Sequence, residues 1–232
     1  GYLAADARAV FSDTADASPN MFAIRRARIV FDANVNPWIA FRMSVDVFNV
    51  GVSPITDAFA DISMGKHWWL RAGKQKTPYG FERAVPVTEQ VFPERSIASM
   101  LTSNREPGVL LTGEFGDGRY EASVGVFDGI PDGGASAEAD LNDAKDGVLR
   151  LVFRPFIRSG GQGVTVGYNG TTGIERGTTA NAQLPRFLSP SALTFFSYRE
   201  SAGAVADGLR YRNGVFASAH SGRWGMNAEW FA

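Results

Sequence analysis

The chain contains no cysteine, which rules out disulfide frames, thiolate nucleophiles and cysteine-based zinc sites. It also lacks any run of about 18 uninterrupted apolar residues, so a helical membrane span is excluded. Net charge is almost absent, since 23 basic residues nearly cancel 24 acidic ones. The chain as a whole therefore offers no argument for a nucleic-acid partner, and any electrostatic function must come from where the charges sit. Histidine is scarce. His67 and His220 are both read in turns, where the ring is usually a solvated surface group, and Ser221 beside His220 gives no nucleophile–base geometry. The glycine-rich piece Gly129-Ile130-Pro131-Asp132-Gly133-Gly134 lacks the strand–loop–helix setting of a phosphate cradle. Asp57 and Asp61 share a strand face, but with arginines beside them their expected role is charge pairing. No enzyme, metal site or cofactor is expected.

What the chain has in quantity is a two-residue alternation. From Trp38 to Phe48 the odd positions read Ile39, Phe41, Met43, Val45 and Val47, while the even ones include Arg42, Ser44 and Asp46. From Leu149 to Arg154 the odd positions are Leu149, Leu151 and Phe153, and the even ones include Arg150 and Arg154. A soluble sheet shows the same period. Segments of about ten residues, joined alternately by tight turns and long polar loops, point instead to an all-β fold, a transmembrane antiparallel meander β-barrel with a polar lumen. Twenty-six glycines and 17 phenylalanines suit its turns and aromatic girdles.

Eleven strands are expected in one domain over 1–232: Tyr2 to Phe11, Phe22 to Asn34, Trp38 to Asn49, Ile55 to Met64, Trp68 to Lys76, Gly108 to Phe115, Tyr120 to Asp128, Gly147 to Phe156, Gly163 to Tyr168, Gly208 to Ala219 and Trp224 to Phe231. Long connections after odd-numbered strands and tight turns after even ones put the chain start on the periplasmic side. Ala192 to Tyr198 is apolar enough for a strand but would break that parity, so it is assigned to a loop folded onto or into the barrel. An odd strand count with an unpaired final edge implies the N-terminal part of a longer barrel. The excursion Thr77 to Arg105 is too long to lack a purpose and is expected to fold inward as a constriction loop, with any helix inside Val85 to Thr102.

The alternation points Arg26, Arg28, Arg42, Arg71, Arg150, Arg154, Arg210 and Arg212 inward, and Phe41, Val45, Leu149, Leu151 and Phe153 outward. Folding the second and third strands about Val35 sets Arg28 beside Arg42 and Arg26 near Ser44. Continuing across the next links gives a lumen row of Arg28, Arg42, Asp61 and Arg71. Such a row is either a salt-bridge lattice that stiffens the wall or a field for anions, and both can hold together. In the excursion, Arg83, Arg95 and Arg105 accompany Glu82, Glu94 and Glu106, where loop-to-wall pairing competes with contact to permeant ions. Arg25 falls on the lipid side, as a strand end or rim residue. Lys74 does too, and a bulge at Gly73 or the headgroup region would account for it. Trp38, Trp68, Trp69, Phe156, Trp224, Trp230 and Phe231 are placed in an interfacial girdle.

Three stretches carry a resemblance to a known family: Phe22-Ala23-Ile24-Arg25-Arg26-Ala27-Arg28-Ile29-Val30-Phe31-Asp32, then Leu70-Arg71-Ala72-Gly73-Lys74-Gln75-Lys76-Thr77-Pro78-Tyr79-Gly80, then Pro93-Glu94-Arg95-Ser96. Weaker echoes are Arg154-Pro155, Ala206 to Arg210 and Asn227 to Trp230. Together they resemble the phosphate-selective porins O and P in order and over nearly the whole chain. The resemblance implies a sixteen-stranded, usually trimeric outer-membrane channel with an inward third loop, and the Thr77 to Arg105 excursion stands in that loop's place.

The expected function is passive diffusion of small anions or polar solutes, phosphate among them, through an arginine-lined lumen in the bacterial outer membrane. Its partners would be outer-membrane lipid, the solutes and two further copies of the chain, with no nucleic acid. The alternative is a non-transporting barrel serving as anchor or structural partner in a larger outer-membrane assembly. A barrel enzyme lacks a site, and a soluble β-sandwich would fold without detergent.

Overall fold

Segments that alternate β-branched or aromatic residues with polar ones favour extended chain. The protein is seen here in a computed structural model that describes residues 1–8, 21–48, 53–92, 94–133, 143–158, 162–188, 194–199 and 203–232. Its strands are β1 (Tyr2–Arg8), β2 (Met21–Asn36), β3 (Ile39–Asp46), β4 (Ile55–Ser63), β5 (Trp68–Lys76), β6 (Arg105–Phe115), β7 (Tyr120–Phe127), β8 (Asp146–Arg158), β9 (Gln162–Arg176), β10 (Arg186–Leu188), β11 (Thr194–Ser197), β12 (Asp207–Ser221) and β13 (Trp224–Phe231). Eleven of them form one antiparallel meander in the order β1-β2-β3-β4-β5-β6-β7-β8-β9-β12-β13, while β10 and β11 make a separate two-stranded ladder. This is an all-β antiparallel meander in which, among the described residues, β1 and β13 are not paired with each other.

The expected strands are present, with differences that have local causes. β6 begins at Arg105 rather than Gly108, because Arg105 pairs with Lys76 at the end of β5. β9 continues to Arg176, well past Tyr168; its Asn-Gly-Thr-Thr-Gly stretch has low strand propensity but is paired on both sides, with β8 and with β12. His220 lies within β12 opposite Gly225 rather than in a turn. Thr194–Ser197 is a strand, but it pairs with β10 outside the main sheet, so the alternation of long and short connections survives. Residues 9–20, 49–52, 93, 134–142, 159–161, 189–193 and 200–202, which include parts of the expected first and third strands, lie outside the described ones.

Tight turns set the registers. Asn36 closes the β2–β3 hairpin by accepting the Trp38 and Ile39 N–H groups at 2.8 and 2.9 Å, with Pro37 following it in the turn. The hairpin therefore pivots beyond Val35, which remains in the strand. The β6–β7 turn needs three successive left-handed residues, Gly116, Asp117 and Gly118 at φ 62°, 55° and 83°, which glycine supplies at two of the three.

Two of the bulges in the main sheet, in β2 and β8, change which parity of charged residues faces which way. In β2, Ala4 pairs with Arg26 but Ala5 pairs with Ile24, so Arg25 is the extra residue. On one side of it Phe22 and Ile24 are exposed, and on the other Ile29 and Phe31. In β8, Phe153 pairs with Val166 and Phe156 with Val164, leaving Arg154 and Pro155 against one residue. Proline, which has no N–H to give a ladder, is tolerated at such a bulge. One face of the sheet is then continuously apolar and bare: Phe31, Phe41, Leu149 and Leu151 are 40–57 % exposed. So much exposed apolar surface marks a face that meets something other than water.

Candidate functional site

Residues 77–104, between β5 and β6, do not run out over the sheet edge but cross one of its faces. The Tyr79 hydroxyl donates to the Asn213 carbonyl at 3.2 Å, and its ring packs 5.6 Å from Phe231. The Gly80 N–H donates to Asn169 Oδ1 at 3.3 Å, and Phe81 stacks on Phe216 at 5.1 Å. Glu229 accepts the N–H groups of both Phe81 and Glu82. These last two donors start α1 (Phe81–Ala84), which is followed by 3-10 turns at Val87–Glu89 and Ile97–Leu101. The two 3-10 turns fall inside the Val85 to Thr102 stretch expected to hold any helix, but α1 lies wholly ahead of it, where a carboxylate from β13 satisfies its orphan donors. A segment leaving β5 reaches β9, β12 and β13 only if the sheet curls around it. At the base of the segment, its first residue Thr77 donates to the buried Glu106 on β6, which also accepts from Gly129 and Ile130.

The covered face carries the charges. Residues paired across strands share a face, and following the pairings from Asn169 and Phe216 puts Arg26, Arg28, Arg42, Asp61, Arg71, Arg150, Arg154, Arg210 and Arg212 on it. Most of the arginines are matched. Arg28 meets Asp46 at 3.2 Å, Arg42 meets Asp32 at 2.6 Å, Arg71 meets Asp61 at 2.6 Å and Arg105 meets Asp57 at 2.7 Å. Glu121 lies between Arg154 at 2.6 Å and Arg150 at 3.8 Å. Asp146 holds Arg210 at 2.7 Å and Arg212 at 3.1 Å, with Glu175 and Asp132 completing that group.

The expected row of Arg28, Arg42, Asp61 and Arg71 needs correction. Only Asp61 opposite Arg71 has the anticipated register. Arg28 stands opposite Asp46, Arg42 opposite Asp32, Val30 opposite Ser44, and Asp61 opposite Ala40. The error follows from placing the hairpin pivot at Val35 instead of beyond Asn36, and the true register replaces a like-charge contact with two ion pairs. Arg105 is a strand residue, not part of the excursion. Arg25, as the bulge residue, pairs with Asp6 and Glu94 instead of standing on the lipid side. Lys74 is buried, and the ladders run through Gly73 without a register shift, so no bulge accounts for it. Trp69 and Phe231 also leave the proposed girdle: Trp69 pairs with Thr112 on the covered face, and Phe231 packs on Tyr79.

The cations of the segment differ from those of the wall. Arg83, 5 % exposed, donates to Thr102 Oγ1 at 3.0 Å and to the Ser99 carbonyl. Arg95 donates to the carbonyls of Glu82 at 3.3 Å and Val85 at 3.1 Å. Lys76 Nζ donates to the carbonyls of Ala84 at 3.2 Å and Val85 at 3.0 Å. Among the described residues none of these three, nor Arg26, forms an ion pair, whereas Glu82 is engaged by Ser96. Burial, with neighbouring cations close by, pushes the Arg83 and Arg95 guanidinium groups down to about 10, which leaves both charged at neutral pH. Burial raises the Tyr79 phenol, and it raises the Asp132 carboxyl against the pull of Arg212. Lys76, which ties β5 to the segment, is the cation that sequence reasoning passed over. Its position at the last residue of a strand, before a long excursion, was the available signal.

A cavity of about 630 Å³ opens beside the segment, lined by strands β1 to β8 and by residues 76–88. A sheet wall, a segment crossing its covered face and a cavity lined by charged, polar and aromatic side chains stand together there. The sequence model of the phosphate-selective porin O and P family matches residues 2–232. The chain belongs to that family. Members of the porin O and P family are channels of the bacterial outer membrane, not enzymes. No curated protein matches the chain.

Proposed function

We propose that this porin passes small anions by passive diffusion, phosphate among them, along the covered face of the sheet, with residues 77–104 narrowing the passage. The observation that carries this is the imbalance at the segment: among the described residues Arg26, Arg83 and Arg95 have no carboxylate partner, while the wall arginines are largely neutralised. Uncompensated charge in a confined, low-dielectric passage concentrates the opposite ion. The paired arginines still present unused N–H groups to a passing anion, because each carboxylate occupies only part of the guanidinium fork. The test is planar-bilayer conductance of the full-length protein, with reversal potential under a chloride gradient and competition by phosphate. A reversal potential on the potassium side would overturn the proposal, and an absence of conductance in a folded barrel would support the anchor alternative.

The same reading turns the bare face to lipid. Leu149→Arg is then expected to destabilise the protein by about 2–4 kcal/mol if the residue lies near the bilayer midplane, measured by urea titration in lipid vesicles. Arg150→Leu, one residue along and on the opposite face, is expected to lack that depth-dependent lipid penalty. A Leu149→Arg variant as stable in the bilayer as the wild type would show the faces to be misassigned.

A further inference from the structure

The cavity beside residues 77–104 is not lined by charge alone. Covered-face positions are polar over most of the sheet, yet Phe59 and Trp69 are both on that face and both line the cavity. Trp69 has the opposite orientation to its neighbour: Trp68 lies over Gly113 on the bare side, where an added Cβ would meet its ring at 2.6 Å. Along β5 the covered residues run Trp69, Arg71, Gly73, and these stand opposite Ser63, Asp61 and Phe59 of β4. The Arg71 guanidinium lies 4.0 Å over the Phe59 ring and is fixed in its plane by two bonds to Asp61, at 2.6 and 2.8 Å. Gly73, opposite Phe59, adds no side chain beside that ring, so Arg71 is the group laid over it.

A second pairing of the same kind lines the same cavity. Arg28 sits 5.5 Å over the ring of Tyr2, and both Arg28 Nε and the Tyr2 hydroxyl are buried without a hydrogen-bond partner. Unspent donors at buried polar atoms call for an explanation, and an acceptor arriving in the cavity is one. A bare inorganic anion would use the donors and leave the rings idle. A flat apolar body carrying a carboxylate would use both, with its ring against Trp69 or the edge of the Phe59–Arg71 stack and its oxygens on the arginine donors. The volume suits a small organic molecule, and binding in a channel has to be weak enough for release.

The geometry points to a subsite for organic anions with a planar apolar body, the simplest being an aryl carboxylate. This rests on the anion-channel reading above and names a solute class for the same passage. The experiment compares sodium benzoate with sodium acetate as blockers of chloride current through the full-length protein in planar bilayers. Benzoate is expected to half-block at a concentration at least tenfold below acetate. Phe59→Ala and Trp69→Ala should bring that ratio towards one. Phe59→Leu, which keeps the volume but loses the aromatic face, should do the same and covers the case in which the alanine variant folds poorly. Equal block by the two anions, or a ratio unmoved in all three variants, would overturn the subsite while an anion-side reversal potential left the channel reading standing. A potassium-side reversal potential in the wild type would remove both.

Discussion

Neutralising Arg95 as Arg95→Gln is expected to lower the chloride-over-potassium permeability ratio at least fivefold. The glutamine keeps an N–H donor for the Glu82 and Val85 carbonyls that Arg95 now engages, so the segment retains part of its anchoring. What disappears is a charge with no carboxylate against it. At an effective dielectric of about 20, a unit charge about 8–10 Å from a permeant ion contributes roughly 1–2 kcal/mol, which corresponds to the stated change. Arg105 is a poorer target although it looked equivalent in the sequence. It is paired with Asp57, and glutamate there would set two carboxylates together in a mostly buried position. Arg154→Gln serves as the contrast, because Glu121 retains Arg150 when Arg154 is lost; its effect should stay below about twofold. Reversal potentials in a tenfold potassium chloride gradient, measured for both variants at one ionic strength, decide the matter. Equal shifts for Arg95 and Arg154 would show that selectivity follows total charge and not the unpaired cations of the segment.

The contrast between Arg95 and Arg105 also shows how far the sequence reaches. Strand existence was legible because period two is written directly in runs such as Ile39–Val47 and Leu149–Phe153, and the face assignment of Arg42 and Arg150 follows from it. Charge partners were not, because register depends on where a hairpin pivots, and a shift of the β2–β3 pivot from Val35 to beyond Asn36 exchanges Arg42 for Asp46 opposite Arg28. Bulges are a second blind spot. Arg25 looks lipid-facing under strict alternation and turns to Asp6 and Glu94 only because one extra residue is inserted against β1. Pro155 could have signalled the other bulge, since a proline inside a strand demands one or an edge. The contacts of Tyr79 and Phe81 with β12 and β13 join residues more than 130 positions apart in the chain, and no local pattern announces them.

Those long-range contacts define the second large effect. Glu229 on β13 accepts the N–H groups of Phe81 and Glu82, the first two residues of α1, and Gly80 before them provides no side-chain cap. Glu229→Ala leaves two part-buried donors unsatisfied, at a cost of about 1–3 kcal/mol each. The remaining attachments near that end are the Phe81–Phe216 stack, the Tyr79–Phe231 ring contact, the Gly80 bond to Asn169 and the Tyr79 bond to a carbonyl, and none of them satisfies the first two N–H groups of the helix. The segment should therefore swing away from β13 part of the time and widen the passage. Single-channel records are expected to show a higher mean conductance with slow open-level noise, as a loop motion exchanges between seated and released states. Glu229→Gln keeps one acceptor oxygen and should restore most of the quiet, narrower state, whereas loss of negative charge alone would make glutamine and alanine behave alike. Limited proteolysis of refolded protein adds a readout independent of current, since a released 77–104 segment exposes Arg83 and Arg95, both now held by carbonyls, to trypsin. Unchanged conductance, noise and cleavage in a folded alanine variant would show that the segment is held by its aromatic seat and that Glu229 is no latch.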